Sequence, residues 1–217
     1  MKIRFIRKKT VTLPTIWGWV FIVLMVYIVF RFSVSHIAQF LSPNNPVKTE
    51  ILIVEGWLPD YAMPKVIDEF NKGNYKYIVT TGINIPNGAF LASYPTHAEL
   101  GREVLIKLGL DSNLVFAAPA GDVHKDRTYA SALALKSWFK AHHIRPKSFN
   151  LYSLGAHTRR SWYLFRLAFK DYKTEIGVIN TPDLTYDAEA WWKSSKGFRT
   201  IPTEGLGFFF VFFFFNP

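Results

Sequence analysis

Cysteine is absent from all 217 residues, which removes thiol catalysis, disulfides and Cys-based zinc sites from consideration. The glycine-rich signatures of common nucleotide and hydrolase sites are missing as well. No G-x-G-x-x-G, Walker or G-x-S-x-G pattern occurs, which argues against NAD, P-loop ATP and the usual α/β-hydrolase nucleophile. The six histidines include no i,i+4 pair, and no carboxylate-rich loop accompanies them, so no metal site is expected and no cofactor is identified. Acids are scarce, at 16 against 26 basic residues. Half of the +10 net charge comes from Lys2, Arg4, Arg7, Lys8 and Lys9, so the basic balance is largely a topology signal and no nucleic-acid partner is expected.

Charge of either sign is absent from Leu13 to Phe30. At 1.5 Å rise per residue this run spans roughly 27 Å, close to the hydrocarbon thickness of a bilayer. Trp17, Trp19 and Tyr27 suit the interfaces, and Arg31 marks the far end. The run is too long for a typical signal-peptide core, and no small-x-small cleavage site follows closely. The sequence therefore divides into a basic cytoplasmic N-terminus (1–12), a transmembrane anchor (13–30), a juxtamembrane linker (31–48) and an extracytoplasmic domain (49–217). The positive-inside rule places the anchor in the inner (cytoplasmic) membrane with the main domain outside the cytoplasm.

From residue 50 short apolar runs alternate with helical patterns. "EILIVEG", "YKYIVTTG", "LVFAAP", "SFNLYSLG" and "TEIGVIN" read as strands, separated by four amphipathic segments. This predicts an α/β fold: a Rossmann-like, doubly wound, mainly parallel five-stranded sheet with Ile51–Val54, Ile78–Thr81 and Phe149–Leu154 as inner strands. Ligands in such folds bind beyond the carboxyl ends of the strands. The closing run Phe208 to Phe215 is too short to cross a bilayer as a helix. It reads either as core or as a membrane-facing helix, with Trp191, Trp192 and Lys193 at the interface.

One strand-end stretch, "LYSLGAHTRRSWYLF", crowds His157, Arg159 and Arg160 where a helix begins. A helix start carries partial positive charge, so cations there need something negative nearby. His157 and Arg160 share a helix face and, with Ser153, can hold an anion such as a phosphate. Arg127 and Thr128 open the preceding helix and would complete the pocket, although Asp126 there also reads as an N-cap. Glu99 follows Thr96 at capping-box spacing, and is otherwise a crevice carboxylate. Glu55 ends a buried strand, where an acid is costly unless paired or used.

The ordered set of a Gly-ended strand, "TTG", an acid opening the next helix, "RTYASA" and His-x-x-Arg resembles the YdcF-like family (the ElyC/SanA/YdcF group). The resemblance covers roughly Glu50 to Ile179 and the anchor, and the tail "WWKSSKGFRTIPTEGLGF" is similar to that of anchored members. It implies a Rossmann-like envelope domain whose anchored relatives are linked to peptidoglycan precursor or lipid-carrier homeostasis. Carried over, the family pocket falls on Gly56, Thr81, Gly82, Glu99, Arg127, Thr128, Ser153, His157 and Arg160. Two departures are Glu55-Gly56-Trp57 in place of a Gly-Gly pair and Ala130-Ser131 in place of Glu-Asn.

Two functions follow as expectations. In the first, the domain binds a phosphate-bearing small molecule or lipid carrier, with His157 moving a proton, Glu99 or Glu55 as its carboxylate partner, and Arg160 with Arg127 as anion clamp. The second is a non-catalytic envelope assembly or sensor protein with a vestigial crevice. If His157, Arg160 and Arg127 share an external anion, removing Arg160 should leave the ligand-free domain unharmed.

Overall fold

The computed structural model describes residues 11–87 and 91–217. The chain divides into two compact units, Met1–His36 and Ile37–Pro217. Helix α1 (Ile16–Leu41) begins where Thr15 Oγ1 accepts the Gly18 N–H at 3.2 Å, and it contributes most of the first unit. Its best 18-residue window has a mean hydropathy of 2.1 and none of it is buried, so it is long and apolar enough to cross a membrane. The helix continues past Phe30 and Arg31 to Leu41, immediately before the Pro43 and Pro46 segment that breaks it.

Packing of the second unit begins earlier than residue 49. Ala38 and Leu41 are buried. Asn45 pairs with Val178 through two backbone hydrogen bonds, and Val47 N–H donates to Asn150 Oδ1 at 2.8 Å. Much of the segment expected as a linker is thus bound to the domain.

Five strands form one sheet: β1 (Ile51–Glu55), β2 (Tyr77–Gly82), β3 (Val115–Pro119), β4 (Ser148–Leu154) and β5 (Glu175–Thr181). Their order is β3-β2-β1-β4-β5 and every pairing is parallel. The expected α/β fold and its three inner strands are therefore present. Strand periodicity explains the two cores. Ile51 and Ile53 face one side, with Leu135 and Phe139 of α4 (Arg127–Ala141) and Phe165 of α5 (Thr158–Ala168). Leu52 and Val54 face the other, with Val66 and Phe70 of α2 (Met63–Lys72) and Leu105 of α3 (His97–Lys107).

The chain winds outward from β1 through β2 to β3, then returns to β4 beside β1. The topological switch lies between β1 and β4, and a crevice is expected beyond their carboxyl ends. A sixth helix, α6 (Ser195–Phe213), packs at that edge, with the Ser194 hydroxyl accepting the Gly197 N–H at 3.0 Å. It divides the phenylalanine run between two environments: Phe208 and Val211 are buried, while Phe209, Phe210, Phe212, Phe213 and Phe214 are exposed.

Gly56 and Gly82 serve this packing. A Cβ at Gly56 would lie 2.1 Å from the His97 carbonyl oxygen, and one at Gly82 would lie 2.9 Å from the Ala98 nitrogen. Gly101 of α3 in turn sits against the Gly56 backbone. Gly56→Ala is expected to destabilise the domain by more than about 2 kcal/mol, because backbone rather than a flexible side chain must move. Urea unfolding of the full chain in detergent measures it, and a loss below about 0.5 kcal/mol would show that the packing tolerates the methyl group.

Candidate functional site

The switch between β1 and β4 delivers Glu55 and Ser153 side by side, both almost completely buried. The Glu55 carboxylate accepts hydrogen bonds from Ser153 Oγ and, at 2.8 Å, from Ser161 Oγ in the first turn of α5. A carboxylate beside a helix start is favourably placed. The β4–α5 turn that carries His157 is held in turn by Asn180, whose Nδ2 donates to Gly155 O at 2.8 Å. Gly155 has φ +48°, a conformation glycine adopts without Cβ strain.

His157 lies between two carboxylates. Its Nε2 is 3.7 Å from Glu55 Oε1, and its Nδ1 is 3.2 Å from Glu204 Oε1 of α6. Arg160 Nε donates to Glu204 Oε2 at 2.9 Å and its Nη2 to Glu204 Oε1 at 3.1 Å. Trp57 closes one side, edge-to-face with the imidazole at 5.1 Å between centroids. Gly207 brings α6 close to Arg160, since a Cβ there would meet the arginine side chain at 3.2 Å.

Charge follows from this geometry. Burial opposes an imidazolium at His157, but Glu55 and Glu204 outweigh it and raise the group to about 9. Burial also opposes ionisation of Glu204, yet His157 and Arg160 lower it to about 2. Glu55 is lowered despite its burial, through His157 and the two serine hydroxyls. The four groups form a neutral set of two carboxylates, one imidazolium and one guanidinium. A group held protonated to about pH 9 is a proton donor at neutral pH, which narrows the role expected of His157.

The negative partner demanded by the cations at the start of α5 is therefore internal. Glu204 occupies the position expected for an external anion, so His157 and Arg160 are not an empty clamp. Arg159 turns elsewhere, with its guanidinium 3.9 Å from the Phe40 ring centroid.

A cleft of about 1020 Å³ opens beside this network. Of the residues expected at the site, Glu55, Thr81, Arg127, Thr128, His157 and Arg160 line it. Gly56, Gly82, Glu99 and Ser153 do not. Both glycines serve helix packing, and Ser153 is spent on Glu55. Glu99 completes a capping box, accepting from the Thr96 N–H at 3.1 Å while its own N–H donates to Thr96 Oγ1. Asp126 does stand at the N-cap position of α4, but it has φ 51° and its side chain makes no capping hydrogen bond.

Sequence reasoning missed Glu204, His97, Lys196 and Arg199 in this cleft. His97 is lowered by burial and by the nearby Arg127 charge, so it stays neutral more readily than a free histidine. Among the described residues, none of Arg127, Lys196 and Arg199 forms a salt bridge. Thr81 is 1% exposed, and its hydroxyl has no hydrogen-bond partner among the described residues. No group of three or more His, Asp or Glu among the described residues is arranged to hold a metal ion. Comparison with protein-family models, curated proteins and solved structures gave no match.

Two outcomes test the network. Arg160→Ala leaves Glu204 short of a partner and is expected to destabilise the ligand-free protein by about 1–3 kcal/mol; an unchanged midpoint would restore the empty-clamp reading. The pH dependence is the second. His157 is raised from 6.5 to about 9, so its contribution is complete below pH 6.5 and is lost as pH rises towards 9. Glu204 falls from 4.5 to about 2, so its contribution is complete above pH 4.5 and is lost as pH falls towards 2. His157→Gln should therefore flatten the decline of unfolding free energy between pH 6.5 and 9, and parallel declines in both proteins would refute the pairing.

Proposed function

We propose that this chain is a single-pass envelope protein whose Rossmann-like domain binds a phosphate-bearing small molecule or lipid carrier. The observation that carries the reading is the strand-end cleft, lined by Arg127, Lys196 and Arg199 without carboxylate partners among the described residues. An anion brought there gains charge-assisted hydrogen bonds from cations that form no salt bridge among the described residues, although Asp126 and Asp183 line the same cleft. Thr81, whose buried hydroxyl has no partner among the described residues, borders the same cleft. His157, protonated and bordering the cleft, suits donation of a proton to a leaving oxygen. The ordered motifs that resemble the YdcF-like family support a role in peptidoglycan precursor or lipid-carrier homeostasis.

A second reading is a non-catalytic assembly or sensor protein. It is favoured by the closure of His157 and Arg160 onto Glu55 and Glu204, which leaves the most reactive groups engaged with one another. Binding without turnover would identify it.

Nucleotides, phosphosugars and polyprenyl phosphates added to the detergent-solubilised full chain should include at least one that raises the melting temperature, since a ligand of the native state stabilises it by mass action. Arg127→Ala and Arg199→Ala should each diminish that shift. The absence of any shift across these classes would sink the phosphate reading. Inorganic phosphate release would separate an enzyme from a sensor. For topology, a reporter active only in the cytoplasm, fused after Pro217, should be silent; activity would overturn the envelope assignment.

A further inference from the structure

The cleft changes polarity along its length, and α6 lays the change out in order. Its cleft-lining positions recur every three or four residues and so form one stripe on the helix. The stripe begins with Lys196 and Arg199, passes Thr203 and Glu204, and beyond Gly207 turns to Phe210 and Val211. Phe215, just past the helix end, continues the apolar part and packs against the Tyr129 ring at 5.3 Å between centroids. From Arg199 to Phe210 the helix rises about 16 Å, enough to separate a charged group from an apolar one in a single ligand. Phe210 lines the cleft yet is 55% exposed, so apolar surface inside the site remains in water at a free-energy cost.

A small inorganic anion would satisfy the cationic end and leave that apolar surface wet. A plain hydrocarbon would cover the phenylalanines and add no salt-bridge partner for Lys196 and Arg199, which have none among the described residues. We infer that the cleft takes an amphiphile, a phosphate ester bearing a hydrocarbon chain, with its phosphate at Lys196 and Arg199 and its chain along Phe210, Val211 and Phe215. The inference rests on the phosphate reading above and specifies its ligand class.

The test uses the full chain in lipid nanodiscs, titrated with inorganic phosphate and with butyl, hexyl and octyl phosphate, alongside octanol. Empty nanodiscs supply the correction for partitioning into lipid. Affinity is expected to rise up to about fourfold per added methylene, the equivalent of about 0.8 kcal/mol. Phe210→Ser should flatten this dependence, read as the ratio of octyl phosphate to inorganic phosphate affinity within the same variant so that any general loss of binding cancels. Arg199→Ala should weaken octyl phosphate and leave the residual chain-length dependence in place. Binding of phosphate with no dependence on chain length would overturn the amphiphile and leave the phosphate reading standing. A chain-length dependence unchanged in Phe210→Ser would also overturn it, because the chain would then lie elsewhere. Octanol binding as tightly as octyl phosphate would overturn the headgroup assignment. Failure of every phosphate to bind would remove the phosphate reading itself, and this inference with it.

Discussion

A carboxylate at the end of a fully buried strand is the constraint from which the rest of the site follows. Glu55 sits where β1 ends, and burying its charge unpaired would cost several kcal/mol. The fold meets that cost with Ser153 from the neighbouring strand, Ser161 from the first turn of α5, and the His157 imidazolium. All three partners belong to the one segment Ser153–Ser161, so the carboxylate fixes the β4–α5 turn against β1. His157 then carries a positive charge inside the protein, which needs a second carboxylate. Glu204 supplies it and also receives Arg160. Through this relay one buried acid links the centre of the sheet to the C-terminal helix.

That relay changes the meaning of the basic cluster at the start of α5. Cations at a helix N-terminus oppose the helix dipole, and two negative side chains offset the opposition here. Charges committed to one another do not attract a ligand over distance. The lysine and arginine side chains of the cleft outside that network are Arg127, Lys196 and Arg199, two of which stand on α6 rather than on the doubly wound core. The same helix closes the internal ion network and provides the cations left over.

The five parallel strands were legible as short apolar runs, the mark that buried strands leave in a sequence, with glycine following β1 and ending β2 where α3 passes too close for a side chain. Strand β3, at the sheet edge, is only partly buried. The Thr96–Glu99 cap was legible in its spacing, whereas α1 runs on past the expected end of the anchor at residue 30 to Leu41, just before Pro43. Glu55 announced itself as an acid after an apolar strand. Its partner Glu204 did not. It lies 149 positions away in a tail with Pro202 and three glycines, a composition that argues against a helix until tertiary packing overrides propensity. Ion pairs between distant segments leave no periodic trace, so Arg160 read as a ligand contact when its nearest anion was in the protein. Lys196 and Arg199 escaped notice for the same reason: only the placement of α6 brings them to the strand ends.

The C-terminal helix therefore carries two demands on one cylinder. Towards the domain it must bring Gly207, where a Cβ would press on the Arg160 side chain at 3.2 Å, and the single acid that completes the buried network. Along the cleft it must run from lysine and arginine to phenylalanine. These demands meet between Thr203 and Gly207, where the acid pins the helix to α5. Glu204 therefore fixes the position of α6 and the charge on His157 together, because the same carboxylate pairs with both His157 and Arg160 of the β4–α5 segment.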